Sequence, residues 1–441
     1  MAETRTATGR RLPRALTPFR HPAYRRLAVA LTLSMFASGV WLVALVWEVI
    51  RLDGGPAELS LVSTASAVGV LLPALLGGVV ADRIPQKLIL VVVATVELTG
   101  MALVATLSLT DHTELWHLAA VSFVTGMGMA FYYPAYSAWL PALVPQSDLL
   151  AVNGFEGMVR PAVGQAIGPA VAGAVVGALS PGAAVTVAAA SSLLGLLALT
   201  SVPLTPVRRD FAAEGEPRHP VVSALVDVRE GFGFMVRTPW LLSTLLFASL
   251  MVLVIMGPFE VLIPFLIKDR LGGGPSDHAL VLAAFGVGAA VGSIAMASFR
   301  LPRRYLSVMN LMWGVGCLPF LVIGFAGAVW QVVAAAFVIG VIFDAAMVIW
   351  GTLLQRRVPA HMLGRVASLD FFVSVSLMPV SMAVAGPVSE AIGLRTTFAI
   401  AGVAPVVFAV VAVLWARLPE DELAHPLRDD DEAPELAVAV S

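Results

Sequence analysis

Four ionisable residues interrupt long apolar runs: Glu97, Asp344, Glu156 and Arg160. A charged side chain at the centre of a bilayer costs at least about 2.5–3.5 kcal/mol unless it is paired or wetted. A carboxyl in such a place is therefore a candidate for taking up and releasing a proton, or else a buried group bonded to Ser or Thr with no transport role. Glu97 lies about ten residues into its run, roughly 15 Å by helical rise, with no basic neighbour to hold it ionised. Asp344 lies at a comparable depth in the second half of the chain. Glu156 and Arg160 are four apart, the spacing of an intrahelical ion pair. Glu48 and Glu260 fall near the ends of their runs, within reach of interfacial water, and Asp370 falls near a helix start, where an acidic group complements the helix dipole. A second set carries the aromatic, thioether and hydroxyl groups that line cavities for amphiphiles: Ser34, Ser38, Trp41, Tyr132, Tyr136, Ser374 and Met378. Packing or lipid contact would use the same residue types.

The elements that must position these groups are membrane helices. The 441 residues are 59% apolar and 13% charged, against roughly 25% charged in an ordinary globular domain, and the mean hydropathy is +0.89. Apolar runs occupy 27–50, 60–81, 87–110, 115–139, 151–178, 182–203, 241–267, 277–299, 304–326, 329–354, 366–391 and 394–416. Each is near the length of about 20 residues that crosses a bilayer as a helix. The expected fold is an all-α membrane protein of twelve transmembrane helices. Of the 27 Lys and Arg, 22 fall on one side of this arrangement and four on the other, which places the richer side and both termini in the cytoplasm. The first run is too long for a signal-peptide core and is expected to be retained. The chain divides into a basic cytoplasmic tail (1–26), a six-helix half (27–203), a cytoplasmic linker with an amphipathic helix (204–238), a second six-helix half (239–416) and an acidic, disordered tail (417–441).

The halves resemble each other. Arg20-His21-Pro22 matches Arg237-Thr238-Pro239, Gly69 matches Gly286 and Pro85 matches Pro302, all at a shift of 217; Gly168-Pro169 matches Gly386-Pro387 at 218. Two six-helix pseudo-repeats in an all-helical membrane protein are the pattern of a transporter whose halves rock about a central site. Other classes are excluded. A net charge of −2 does not suit a nucleic-acid partner. The lone Cys317 provides no disulfide or Cys-based zinc site. Neither a phosphate-binding Gly-rich loop nor the paired Asp-x-x-x-Asp of prenyl transfer nor a His-Glu-x-x-His metal motif occurs. No metal, cofactor or enzymatic activity is expected; the expected partners are a small-molecule substrate, protons and the lipid bilayer, with a monomer as the working unit. High Ala, Val and Arg with two Lys fits a GC-rich bacterial genome, hence a multi-pass protein of a bacterial inner membrane.

Two motifs refine this picture. The loop after the second run reads Gly78-Val-Val-Ala-Asp82-Arg83-Ile-Pro85-Gln86-Lys87. It resembles the Gly-x-x-x-Asp-Arg signature of the major facilitator superfamily, with Pro85 and Gln86 departing from the usual glycine and arginine. The resemblance implies a conformational latch on the cytoplasmic side, in which Gly78, Asp82, Arg83 and Lys87 engage the helix starting near Gly364-Arg365. The fifth run carries Gly164, Gly168-Pro169 and Gly173, similar to the antiporter motif of proton-coupled drug exporters. As a small-residue face it also suits tight helix packing. With Pro134 to Asn153 and Leu354 to Leu369, the likeness covers Phe19 to Arg417 and is to the branch of siderophore and macrolide efflux proteins. What it implies is a secondary active exporter of drugs, antibiotics or siderophore-like amphiphiles, exchanging them for protons by alternating access. An uptake symporter shares the fold and latch, and a non-transporting sensor is the alternative from another class. Ser122 stands where the antiporter pattern has a buried arginine, so a carboxylate elsewhere must handle the proton.

Overall fold

The computed structural model describes residues 14–74, 80, 84–145, 148–205, 220–299, 301–359 and 362–427. Among them every regular element is helical. They are α1 (Pro22–Arg51), α2 (Pro56–Leu71), α3 (Gln86–Leu109), α4 (Leu115–Leu143), α5 (Leu149–Val159, continuing to Ala178) and α6 (Pro181–Thr200). Then come α7 (Pro220–Arg237), α8 (Pro239–Arg270), α9 (Pro275–Ser298), α10 (Tyr305–Phe325), α11 (Val329–Arg357), α12 (Leu363–Val375 and Met378–Ile392), α13 (Leu394–Trp415) and α14 (Leu418–Ala424). Proline opens α1, α2, α6, α8 and α9, where the missing N–H is one the helix would leave unbonded anyway.

Eleven helices among the described residues are long and apolar enough to cross a membrane. The expected second run, 60–81, is described only in part. Helix α2 has 16 residues, and 75–79 and 81–83 lie outside the described residues.

The chain separates into two compact units, one of residues 1–217 with 273–283 and one of 218–272 with 284–441. In the first, α1 packs along α6 and α5, α2 along α4, and α3 against α4 and α6. Tyr24, Leu27, Leu90, Trp139 and Val152 form its buried core near one end of the bundle. In the second, α13 packs against α8 and α10, while α8 also meets α12. Since lipid tails are as apolar as leucine, close packing rather than burial from water joins such helices. Glycines make the closest approaches. A Cβ at Gly69 would stand 2.2 Å from the Phe123 carbonyl oxygen, and one at Gly126 2.3 Å from that of Ser66. In the second unit a Cβ at Gly288 would stand 2.2 Å from the Phe337 carbonyl oxygen, and one at Gly340 2.2 Å from that of Phe285. The repeat is thus visible as one backbone crossing built twice. It pairs Gly69 with Gly288, two residues on from the Gly286 that the sequence shift selects.

The tail from 417 onward, expected to be disordered, begins with helix α14. Arg417 turns the chain with φ 47°, in the left-handed region, and Leu418 is fully buried. Glu422, 2% exposed, accepts hydrogen bonds from the Ser307 amide and hydroxyl, and the Tyr305 hydroxyl donates to the His425 carbonyl at 2.8 Å. Burial raises the Glu422 carboxyl above its ordinary value, outweighing the Ser307 bonds that lower it. A folded-state pKa above the unfolded one means that this contact is strongest at low pH and weakens as pH rises through the folded value. Glu422→Gln keeps an acceptor for Ser307 without the buried charge. It is expected to leave the melting temperature at neutral pH unchanged or slightly raised and to flatten its pH dependence. A variant several degrees less stable than wild type at neutral pH would contradict this account.

Candidate functional site

In the first unit, Glu97 on α3 is half-buried and borders a small cavity with Leu27 and Ser34 of α1, Tyr132 of α4 and Ser192 of α6. The helices are held there by packing and by polar links; the Ser191 hydroxyl donates to the Leu33 carbonyl at 2.8 Å, tying α6 to α1. The cavity measures about 30 Å³, room for roughly two or three waters at about 10–15 Å³ each. Tyr132 stacks on Tyr136 with ring centroids 5.8 Å apart, and lies within electrostatic reach of Glu97, Glu156 and Arg160. Tyr136 in turn faces Glu156 and neighbours Tyr24. The Tyr24 and Tyr136 hydroxyls and Glu156 Oε1 are buried without a well-aligned hydrogen-bond partner. Ser34, Glu97, Tyr132, Tyr136 and Glu156, spread over four helices, thus converge on one polar track.

The Glu156–Arg160 ion pair expected from their spacing does not form: Arg160 is exposed and makes no ion pair among the described residues. The helix widens into a π-helical stretch over Arg160–Ile167, around Pro161 and ahead of Pro169, so the four-residue stacking of a regular α-helix ends there. The small residues of α5 face two neighbours, Gly164 and Gly168 looking onto α1 and Gly173 onto α9. A Cβ at Gly168 would lie 2.9 Å from the Gly39 Cα, and one at Gly39 2.3 Å from the Gly164 carbonyl, whereas one at Gly164 would find nothing nearer than 3.6 Å. A Cβ at Gly173 would stand 2.6 Å from the Ala279 Cβ and 2.9 Å from the Pro275 carbonyl oxygen. Pro169 is buried beside Gly39.

Of the latch residues, Gly78, Asp82 and Arg83 lie outside the described residues. Lys87 donates to the Thr200 carbonyl at 2.8 Å, joining α3 to α6. Ser38 on α1 is exposed and Trp41 half-buried; neither borders the Glu97 cavity. Glu48, expected to reach interfacial water, is fully buried. Both its oxygens bond Arg51, at 2.8 and 3.1 Å, and Arg51 also meets Asp111 at 2.9 Å. Opposite charges three apart on a helix were the available signal.

In the second unit, Asp344 is half-buried on α11. Asp370 sits in the second turn of α12 rather than at its start; it accepts hydrogen bonds from the Trp350 indole at 3.0 Å and the Ser374 hydroxyl at 3.3 Å. Met378, half-buried, opens the second part of α12. A cavity of about 150 Å³ in this unit is bordered by Phe259, Phe285, Phe320, Phe343 and Glu260 and not by Asp344. The sequence reading missed it, because the four phenylalanines come from four helices at no common spacing.

The family model described as a transmembrane secretion effector matches residues 14–441. The multidrug efflux pump Tap of Mycolicibacterium fortuitum is 25% identical over 422 residues, covering 92% of this chain and 98% of that protein. Macrolide efflux protein A of Streptococcus pyogenes is 22% identical over 391 residues, covering 86% and 92%. The crystal structure of the nucleoside transporter NupG superposes with a TM-score of 0.67 at 14% identity, over 91% of this chain and 99% of that one, a likeness of fold.

Proposed function

The chain belongs to the transmembrane secretion effector family of the major facilitator superfamily, a multi-pass membrane transporter and not an enzyme, and from that premise we propose that it exports small amphiphilic compounds in exchange for protons by alternating access. Its similarity to multidrug and macrolide efflux proteins supports the direction. In this reading α2 and the residues after it complete a twelfth span, which returns both termini to the cytoplasmic, Lys- and Arg-rich side of a bacterial inner membrane. Asp82, with Gly78, Arg83 and Lys87, latches the two halves on that side, and the monomer is the working unit.

The observation that carries the proton side of the reading is the Glu97 cavity. It is too small for a drug-sized molecule, it holds a carboxylate, and a tyrosine leads from it toward Glu156. Size separates the tasks. A site for a few waters suits a proton, and the proton's carboxylate needs only to change its exposure as the transporter opens to either side.

The test is transport in liposomes with an imposed pH gradient. Wild type is expected to move an amphiphile against its own gradient. Glu97→Gln is expected to lose that pH-driven movement while still exchanging substrate for substrate without a gradient, and Asp344→Asn, at a residue that does not border the Glu97 cavity, to retain both. If Glu97→Gln couples to the pH gradient like wild type, the proton travels by another group. If wild type moves no amphiphile under any gradient, the exporter reading fails as a whole.

A further inference from the structure

The second unit's cavity combines two features that seldom share a wall. Phe259 meets Phe285 at 5.1 Å between ring centroids and Phe320 at 6.3 Å, the latter edge to face, and Phe343 closes another side. Among these rings stands Glu260, half-buried and bordering the cavity. No described basic side chain forms an ion pair with it, the nearby Lys268 pairing with Asp269 instead, and no hydrogen bond to it occurs among the described residues. Glu260 reaches this place through a local departure from α-helical geometry. The stretch Pro258–Leu262 is π-helical, Pro258 contributes no N–H, and the Gly257 amide is taken by the Ser381 hydroxyl at 2.8 Å. The wider turn lets the adjacent residues Phe259 and Glu260 both border one cavity; π-bulges of this kind recur at functional sites.

A carboxylate left without a cation, in a box of aromatic faces, has a definite complement. Ring faces carry negative quadrupole potential and attract cations, most strongly where water is excluded. The walls offer a metal ion one carboxylate and no other oxygen, nitrogen or sulfur ligand set beyond the thioether of Met256. At about 10–15 Å³ per water-sized group, the cavity of about 150 Å³ accepts on the order of ten such groups, the size of a substituted ammonium head rather than of a whole drug. A neutral head group would leave the carboxylate uncompensated. We infer that this cavity binds the tertiary or quaternary ammonium group of a lipophilic cation, with Glu260 as counter-charge and Phe259, Phe285, Phe320 and Phe343 as the cage. The inference rests on the exporter reading for its biological setting, as the head-group site of one class of transported amphiphile, but the binding itself requires no transport.

The test is calorimetric titration of the purified full-length protein, in nanodiscs of zwitterionic lipid, with benzyltrimethylammonium and with neopentylbenzene, its neutral isostere. Wild type should bind the cation saturably at one site. Glu260→Gln should weaken cation binding at least tenfold while leaving the neutral compound's binding unchanged. Phe259→Leu should weaken the cation similarly, and Glu260→Asp should restore part of the loss. Because Glu260→Gln removes an unpaired carboxylate, it should melt no lower than wild type, which separates loss of the site from loss of the fold. Cation affinity unaltered in Glu260→Gln, or an equal loss for cation and isostere, overturns the cage. If amphiphiles are exported but cation binding ignores Glu260, the cage fails and the exporter stands; if Glu260-dependent binding occurs and nothing is exported, the exporter fails and the cage stands.

Discussion

Gly39→Ala and Gly168→Val are each expected to abolish transport and to reduce the yield of folded protein severely, whereas Gly164→Ala is expected to transport normally. A methyl at Gly39 would stand 2.3 Å from the Gly164 carbonyl oxygen and 2.9 Å from Pro169 Cδ; at Gly168 it would stand 2.9 Å from both the Gly39 Cα and the Phe36 carbonyl. The obstacles at Gly168 are backbone atoms, which cannot rotate aside as a side chain would. Overpacking a well-packed interior costs about 1–3 kcal/mol when side chains can adjust, and here the alternative is separation of α1 from α5. At Gly164 the nearest atom to a methyl lies at 3.6 Å, an ordinary contact. Size-exclusion profiles of detergent extracts, with transport in liposomes, check these expectations. Monodisperse, active Gly39→Ala protein would mean that the two helices do not cross as described.

The second large effect is expected at Arg357. This side chain is 8% exposed, donates to Asp421 and to the Tyr305 hydroxyl, and lies with its guanidinium 5.0 Å from the Trp240 ring centroid. It therefore fastens α14 to the ends of α8 and α10. Removing one member of a buried ion pair costs about 3–5 kcal/mol, and the 21% exposure of Asp421 puts this pair toward the lower figure. Arg357→Ala should lower the melting temperature by roughly 5 °C or more. Arg357→Lys should recover little of that, because a lysine keeps the charge but neither the planar fork nor the ring stacking. Asp421→Asn, which spares the tryptophan contact, should be milder. Equal melting of Arg357→Ala and wild type would show that α14 is held by Leu418 and Glu422 alone.

How far the sequence reveals these features depends on their range. Helix α3 starts within one residue of expectation, since Pro85 and the apolar run after it are local signals; α4 starts at the expected Leu115 and runs on to Leu143 through two prolines. Depth places Ser34, Glu97 and Tyr132 at similar heights, but which face of each helix turns inward comes from packing, as the exposure of Tyr133 beside Tyr132 shows. The lost Glu156–Arg160 pair is a different matter. Counting by four assumes α-helical register, and the π-helical stretch shows in the sequence only as Pro161 and Pro169 placed eight apart. Its distance from the end of a run places Glu260 at the interface, a measure that ignores what surrounds it. Phe285, Phe320 and Phe343 come to it from other helices, and no periodicity links residues so far apart.

The doubled glycine crossing has a consequence for how the molecule tolerates water. At Gly69, Gly126, Gly288 and Gly340 the place of a side chain is taken by a neighbour's carbonyl oxygen, so the contact is between a Cα hydrogen and an oxygen already bonded within its own helix. Such a joint contains no ionisable group and no side-chain hydrogen bond for a solvent molecule to compete with. A cavity beside it can fill or drain while the joint keeps its strength, and the helices it connects move as one piece. Hydration of the interior is thereby uncoupled from cohesion within each half.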